Sequence, residues 1–205
     1  MKIQYLLLIL VGLASCSTDG APTQPIAAVA SASLPVVSVN SPEKTVREYL
    51  HWYSTQHDKL PTNFIATTSV SSKDTTGYYA VDFRVTENWL AAVRQSGVFS
   101  NTYLQYWRTY FRQYADTLRL HRQNEGLATG FEYDFLMLSQ EADTRATELQ
   151  AGTLATKMVG PNRAIVAALG PRHEGWREGL TFSLSQAATG KWLIDAIKVP
   201  ASLTQ

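Results

Sequence analysis

The chain reads as an α+β domain, with N-terminal helices packed on a curved antiparallel sheet. Three observations predict this. The first half of the domain repeats apolar residues at helical spacing. The second half alternates apolar and polar residues, with glycine-bearing turns between the runs. Helices first and strands after them segregate the two kinds of element, which is the α+β pattern.

Composition suits a folded domain: of 205 residues, 45% are hydrophobic and 17% charged. Lys plus Arg is 18 and Asp plus Glu is 17, so no electrostatic claim on nucleic acid arises. The one cysteine cannot form an internal disulfide, so the domain depends on its apolar core.

Residues 1–15 read as an export signal. Lys2 supplies a charged start, and Ile3 to Leu13 is apolar apart from Gln4. Eleven helical residues span roughly 16 Å, about half of a hydrocarbon core. The stretch therefore suits cleavage better than anchoring. It ends in Leu13-Ala14-Ser15-Cys16, which resembles the lipobox of bacterial lipoproteins. That resemblance implies cleavage before Cys16, acylation of its sulfur, and stable attachment to a bilayer, since two or more acyl chains exceed reversible binding. Ser17, where an Asp would retain the protein at the inner membrane in enterobacterial sorting, implies the periplasmic face of the outer membrane. Residues 16–40 read as the lipidated cysteine and a tether rich in Ala, Ser, Val and Pro. As a flexible coil its 24 residues after Cys16 span roughly 27 Å, and as polyproline II about 74 Å. Val36, Val37 and Val39 leave open a first strand.

Residues 41–205 form the domain. Ser41-Pro42-Glu43 is a helix start: a capping hydroxyl, a proline at the first helical position and an acid at the positive end of the dipole. Val46, Leu50 and Tyr53 follow at helical spacing, with Tyr49 and Trp52 beside them, until Pro61. Residues 62–76 read as a loop. Tyr79, Val81, Phe83 and Val85 alternate as in a strand, although Asp82 and Arg84 suit a helix edge equally. Thr86 is expected to cap a second helix through Trp89, Leu90 and Val93, closed by Gly97. Ser100 starts a third, to about Arg122, with the stripe Leu104, Trp107, Phe111, Ala115 and Leu118. A second stripe, Tyr103, Tyr106, Tyr110 and Tyr114, lies beside it.

Phe135 to Leu138 is an apolar run of open type. Strands are expected at Thr153–Val159, Arg163–Leu169, Trp176–Gln186 and Lys191–Val199. Leu180, Phe182 and Leu184 form a buried face against Thr181, Ser183 and Ser185, and Ala188 to Lys191 makes the last hairpin.

Ser41-Pro42-Glu43 before an aromatic helix, the Gly130–Gln140 segment and Lys191-Trp192-Leu193-Ile194-Asp195 resemble domain-of-unknown-function family 3828 of bacterial lipoproteins. The order of elements resembles the nuclear-transport-factor-2-like (cystatin-like) superfamily. The resemblance covers most of residues 41–199 and implies a fold without an agreed activity.

Candidate pocket or interface residues are Asp134, Gln140, Asp195 and the four tyrosines. Asp195, between Leu193 and Ile197, is placed to enter a cavity where burial would raise its pKa towards general-base duty; strand pairing or a rim position is the plainer reading. Asp134 and Gln140 flank the Phe135–Leu138 run, either at a cavity mouth or pinning a turn. The tyrosines serve either as core rim or as a contact surface. His51, His57, His121 and His173 show no metal-ligand spacing, and nucleotide-binding or nucleophile-elbow motifs are absent, so no cofactor or metal is expected. The expected role is binding an envelope partner or a small apolar ligand. The alternative is a small hydrolase or isomerase using Asp195 as base and a tyrosine as acid.

Overall fold

A computed structural model describes residues 40–68 and 77–200. The signal, Cys16, the tether and the open strand at Val36–Val39 lie outside the described residues.

Helix α1 (Pro42–Gln56) begins where Ser41 Oγ accepts the N–H of Lys44. Its buried stripe, Val46, Tyr49, Leu50 and Tyr53, meets the sheet. After a 3-10 turn (His57–Lys59), strand β1 (Ile65–Thr67) pairs antiparallel with β2 (Tyr79–Val81). This corrects the expectation of a plain loop: the polar flanks hid three residues of ladder. The alternation at Tyr79–Val85 resolves as a strand and then a helix. Asp82 ends β2 and caps α2 (Phe83–Gln95), its carboxylate accepting the N–H groups of Arg84 and Val85. Thr86, expected to cap, is instead buried one turn inside and donates its hydroxyl to the Phe83 carbonyl. A carboxylate that satisfies two orphan N–H groups outcompetes a hydroxyl that satisfies none.

Gly97, at φ +70°, turns the chain from α2 towards Val98–Ser100, which runs parallel to the last strand through a single bridge at Phe99 and Ile194. Helix α3 (Asn101–Leu120) follows, capped by Ser100. Helix α4 (Ala142–Ala151) was not legible in the sequence. It buries only Ala146 and Leu149 and has no side-chain cap, so it carries neither of the usual signals.

The four-stranded meander runs in the order β3 (Thr153–Gly160), β4 (Arg163–Leu169), β5 (Gly179–Gln186), β6 (Trp192–Lys198), all antiparallel. β5 starts three residues later than expected, because Trp176 belongs to the hairpin tip, stacked on His173. Ala164, Val166 and Ala168 of β4, Leu180, Phe182 and Leu184 of β5, and Ile194 of β6 form the buried face under the helices. Register shifts near Met158 and near Leu184 mark bulges. Bulges bend a strand and increase its twist, which curves the sheet around the helices. The architecture is thus α+β, with four helices packed on an open antiparallel sheet.

Candidate functional site

The site builds from two neighbours, α3 and β6. The capped start of α3 sets its rotation, so that Tyr103, Leu104, Trp107 and Phe111 enter the core while Tyr106 stays on the outer side. The bulge in β6 sets the other wall. Ser185 opposes Leu193 and Leu184 opposes Ile194, but Ser183 opposes Ala196 and Phe182 opposes Ile197. Asp195 is the extra residue. Leu193 and Ile197 therefore fall on opposite faces of the sheet, not on one face with Asp195 as expected, since a bulge resets the two-residue period. The Asp195 carboxylate accepts the hydroxyl of Ser185 at 3.0 Å.

Between these walls lies a groove with two lobes. One, of about 320 Å³, is lined by Thr102, Tyr103, Tyr106, Trp107, Asp195, Ala196, Ile197 and Lys198. The other, of about 490 Å³, adds Tyr133, Leu138 and Val199. Tyr106, Trp107, Ile197 and Lys198 belong to both lobes, so the two are continuous. Tyr106 is 59% exposed and Val199 48%. Two polar atoms buried beside these walls, the Tyr103 hydroxyl and the Trp107 indole N–H, have no partner of ordinary hydrogen-bond geometry among the described residues, although the Trp107 side chain acts on the Tyr103 hydroxyl from one turn along the helix. A buried polar group without a well-formed bond costs about 1–3 kcal/mol. Burial pushes the Tyr103 hydroxyl above its ordinary pKa, and Trp107 opposes the rise; the hydroxyl stays a donor.

The four tyrosines divide. Tyr103 is 2% exposed and stacks on Phe99 at 4.3 Å, so it belongs to the core as well as lining the groove. Tyr106 stands in the open groove. Tyr110 is half-buried and bonded: its hydroxyl donates to the Gly130 carbonyl at 2.8 Å and lies 3.1 Å from the Tyr133 hydroxyl. Tyr114 packs its ring on Tyr110 and on the glycine face of Gly130, where a Cβ would stand 2.2 Å from the ring. The regular spacing thus hides three environments, because the chain after α3 folds back over Trp107, Tyr110 and Tyr114 and leaves Tyr106 open.

Asp134 stands apart from the groove. Its carboxylate accepts the N–H of Leu136 at 2.9 Å and of Met137 at 2.6 Å, and its backbone bonds to Ser139 and Leu138 close the turn. Burial pushes its carboxyl up from the ordinary range, while those N–H groups, the Tyr53 hydroxyl and His57 oppose the rise. Asp134 thus pins the turn that holds Leu138 at φ +53°, a left-handed conformation uncommon outside glycine. That conformation presents Leu138 to the second lobe. Gln140 is exposed beyond the turn and lines neither lobe.

Arg145 was not singled out by the sequence. From α4 it donates to the carbonyls of Met137 and Leu138, at 2.8 and 2.7 Å, and to the Glu178 carboxylate at 2.5 Å. A lone arginine on a helix without an apolar pattern gives no such signal. Among the described residues no three His, Cys, Asp or Glu side chains converge as a metal site.

No protein-family model matches the chain, and no curated protein or solved structure is significantly similar to it.

Proposed function

We propose that the chain is a bacterial envelope lipoprotein, held on the periplasmic face of the outer membrane through acylated Cys16. Its domain binds an envelope protein segment or a small apolar ligand in the groove between α3 and β6. The observation that carries this reading is a hydroxyl and an indole N–H, Tyr103 Oη and Trp107 Nε1, buried without a well-formed hydrogen bond among the described residues, beside apolar walls that include the exposed Tyr106. Binding sites combine such apolar lining with a few convergent polar groups. An occupant with an acceptor oxygen would take the Tyr103 hydroxyl proton in a hydrogen bond and cover Tyr106. The helix-then-meander order supports membership of the nuclear-transport-factor-2-like superfamily, and the residues quoted above support the family numbered 3828.

The hydrolase or isomerase reading draws on Asp195 lining the same lobe as Tyr103 and Tyr106. Against it, Asp195 sits at the bulge with its carboxylate bonded to Ser185.

A photocrosslinking residue in place of Tyr106 tests the binding reading in living cells. The expected result is a discrete adduct from position 106 and none from Leu120, which is 65% exposed on the same helix. No adduct at 106, or the same adduct from both positions, would rule against the groove.

A further inference from the structure

The face made by α2 and α3 away from the sheet carries a second surface, independent of the groove. The two helices together hold Arg84, Arg94, Arg108, Arg112 and Arg119 against Glu87 and Asp116, five positive charges against two negative, on a chain whose formal net charge is +1. Spacings of three, four and seven put Arg84, Glu87, Ala91 and Arg94 in one stripe of α2 and Arg108, Arg112 and Arg119 in one stripe of α3. A bidentate pair joins the stripes: Arg108 Nε and Nη2 donate to the two Glu87 oxygens at 2.8 and 2.7 Å.

Part of the positive charge is matched locally. Arg84 bonds Asp82 and Arg119 bonds Asp116. Around Glu87 it is not. The bonds from Arg108 hold the Glu87 carboxyl below its ordinary range, and Arg112 and Arg94 add to this through space. Arg94 and Arg112 are exposed and have no hydrogen bond or ion pair of their own among the described residues. Three guanidinium groups therefore surround one carboxylate, an excess of two positive charges.

Each spare guanidinium borders its own shallow groove, on either side of the Glu87–Arg108 bridge. One, of about 290 Å³, lies by Phe83, Phe111 and Arg112; the other, of about 250 Å³, lies by Ala91, Arg94 and Gln95. Phe83 is 46% exposed at the margin of the first. A planar guanidinium is suited to pairing two phosphate oxygens, and an exposed aromatic ring suits the headgroup boundary of a bilayer.

We propose that the α2–α3 face docks on the anionic phosphate headgroups of a lipid surface, with Arg94 and Arg112 each taking one headgroup. Two guanidinium charges left over beside two separate clefts, with an exposed aromatic ring at the margin of one, fit an array of phosphates. The fit does not require the groove between α3 and β6 to be occupied.

The test uses the chain from Ser17 onward, so that neither the apolar signal nor an acyl chain holds it on the vesicles. It is titrated with vesicles of phosphatidylglycerol and phosphatidylcholine, and with phosphatidylcholine alone. An arginine at an anionic surface strengthens association about fivefold, so Arg94→Ala with Arg112→Ala should weaken binding to the anionic vesicles roughly thirtyfold. High salt should abolish the difference. Lys157→Ala with Arg163→Ala removes the same charge from the β3–β4 hairpin and should leave most of the binding intact. Thermal melts of the paired variants confirm folding. Equal loss from both pairs would reduce the effect to net charge and overturn the proposal. So would equal binding to both vesicle types. Binding of a polyglutamate peptide by Arg94 and Arg112, without binding of anionic vesicles, would assign the face to a protein partner and overturn it as well.

Discussion

Replacing Arg145 with alanine should destabilise the domain by about 3 kcal/mol or more, the cost of breaking a largely buried ion pair by removing one partner. Both side chains are mostly enclosed, Arg145 at 13% and Glu178 at 18% exposure. Three segments meet at this guanidinium: α4, the 134–139 turn just before it, and the distant segment leading into β5. Truncation leaves the Glu178 carboxylate without its counter-charge and removes a donor from two carbonyls at once. The turn then loses one of the two restraints on Leu138, whose left-handed backbone favours relaxation. Lysine should recover only part of the loss, because a point charge on a flexible stem cannot serve three acceptors in the planar fork that arginine offers. Denaturant melts read the loss as a shift in midpoint at constant slope. A loss below about 1 kcal/mol would mean that the pair is a surface contact.

Tyr103→Ala and Tyr106→Ala should differ sharply, although the two residues stand three apart in one stripe. Truncating Tyr103 empties a core position packed on Phe99 and should cost about 3 kcal/mol or more. Truncating the exposed Tyr106 should change stability by no more than about 0.5 kcal/mol while weakening binding, since aromatic anchors can carry about 2 kcal/mol of an interface. Tyr103→Phe separates the ring from the hydroxyl. Removing the hydroxyl, which the Trp107 indole faces without a well-formed bond, should change stability by no more than about 1 kcal/mol, and should weaken occupancy of the groove if that hydroxyl meets an acceptor on the occupant. A large loss of stability from Tyr106→Ala would return the whole stripe to the core. A clear loss from Tyr103→Phe would mean that its hydroxyl already has a partner.

These contrasts mark what the sequence could carry. Ser41 and Ser100 were readable as caps because a capping hydroxyl, a helical stripe and a breaker lie within a few residues of one another. The alternation of Leu180, Phe182 and Leu184 was readable because each residue keeps the face it is dealt. The period fails at Asp195, where one extra residue moves its neighbours to opposite faces, and nothing in Leu193 to Ile197 announces it. Helix α4 was silent because tertiary packing of Ala146 and Leu149, and not an amphipathic pattern, supports it. The tyrosine stripe was visible, but its division depends on how far the chain after α3 folds back. Asp134 was visible as a polar residue beside an apolar run, and its bonds to Leu136 and Met137 are those of a turn-pinning residue. The poorly satisfied polar atoms of Tyr103 and Trp107 could not be read at all, because hydrogen-bond satisfaction is a property of three-dimensional surroundings. The arginines of α2 and α3 were countable, but only the Glu87–Arg108 bond places their stripes side by side.

If an acylated chain presents an occupied groove to the envelope, intact mass of the protein purified from its own membranes reads both features at once. Under denaturing conditions the chain should begin at Cys16 and carry acyl mass. Under native conditions an additional discrete mass should appear, lost when Tyr106 is replaced by aspartate. A chain beginning elsewhere without acyl mass would contradict the anchor, and a native mass equal to the denatured one would contradict the groove.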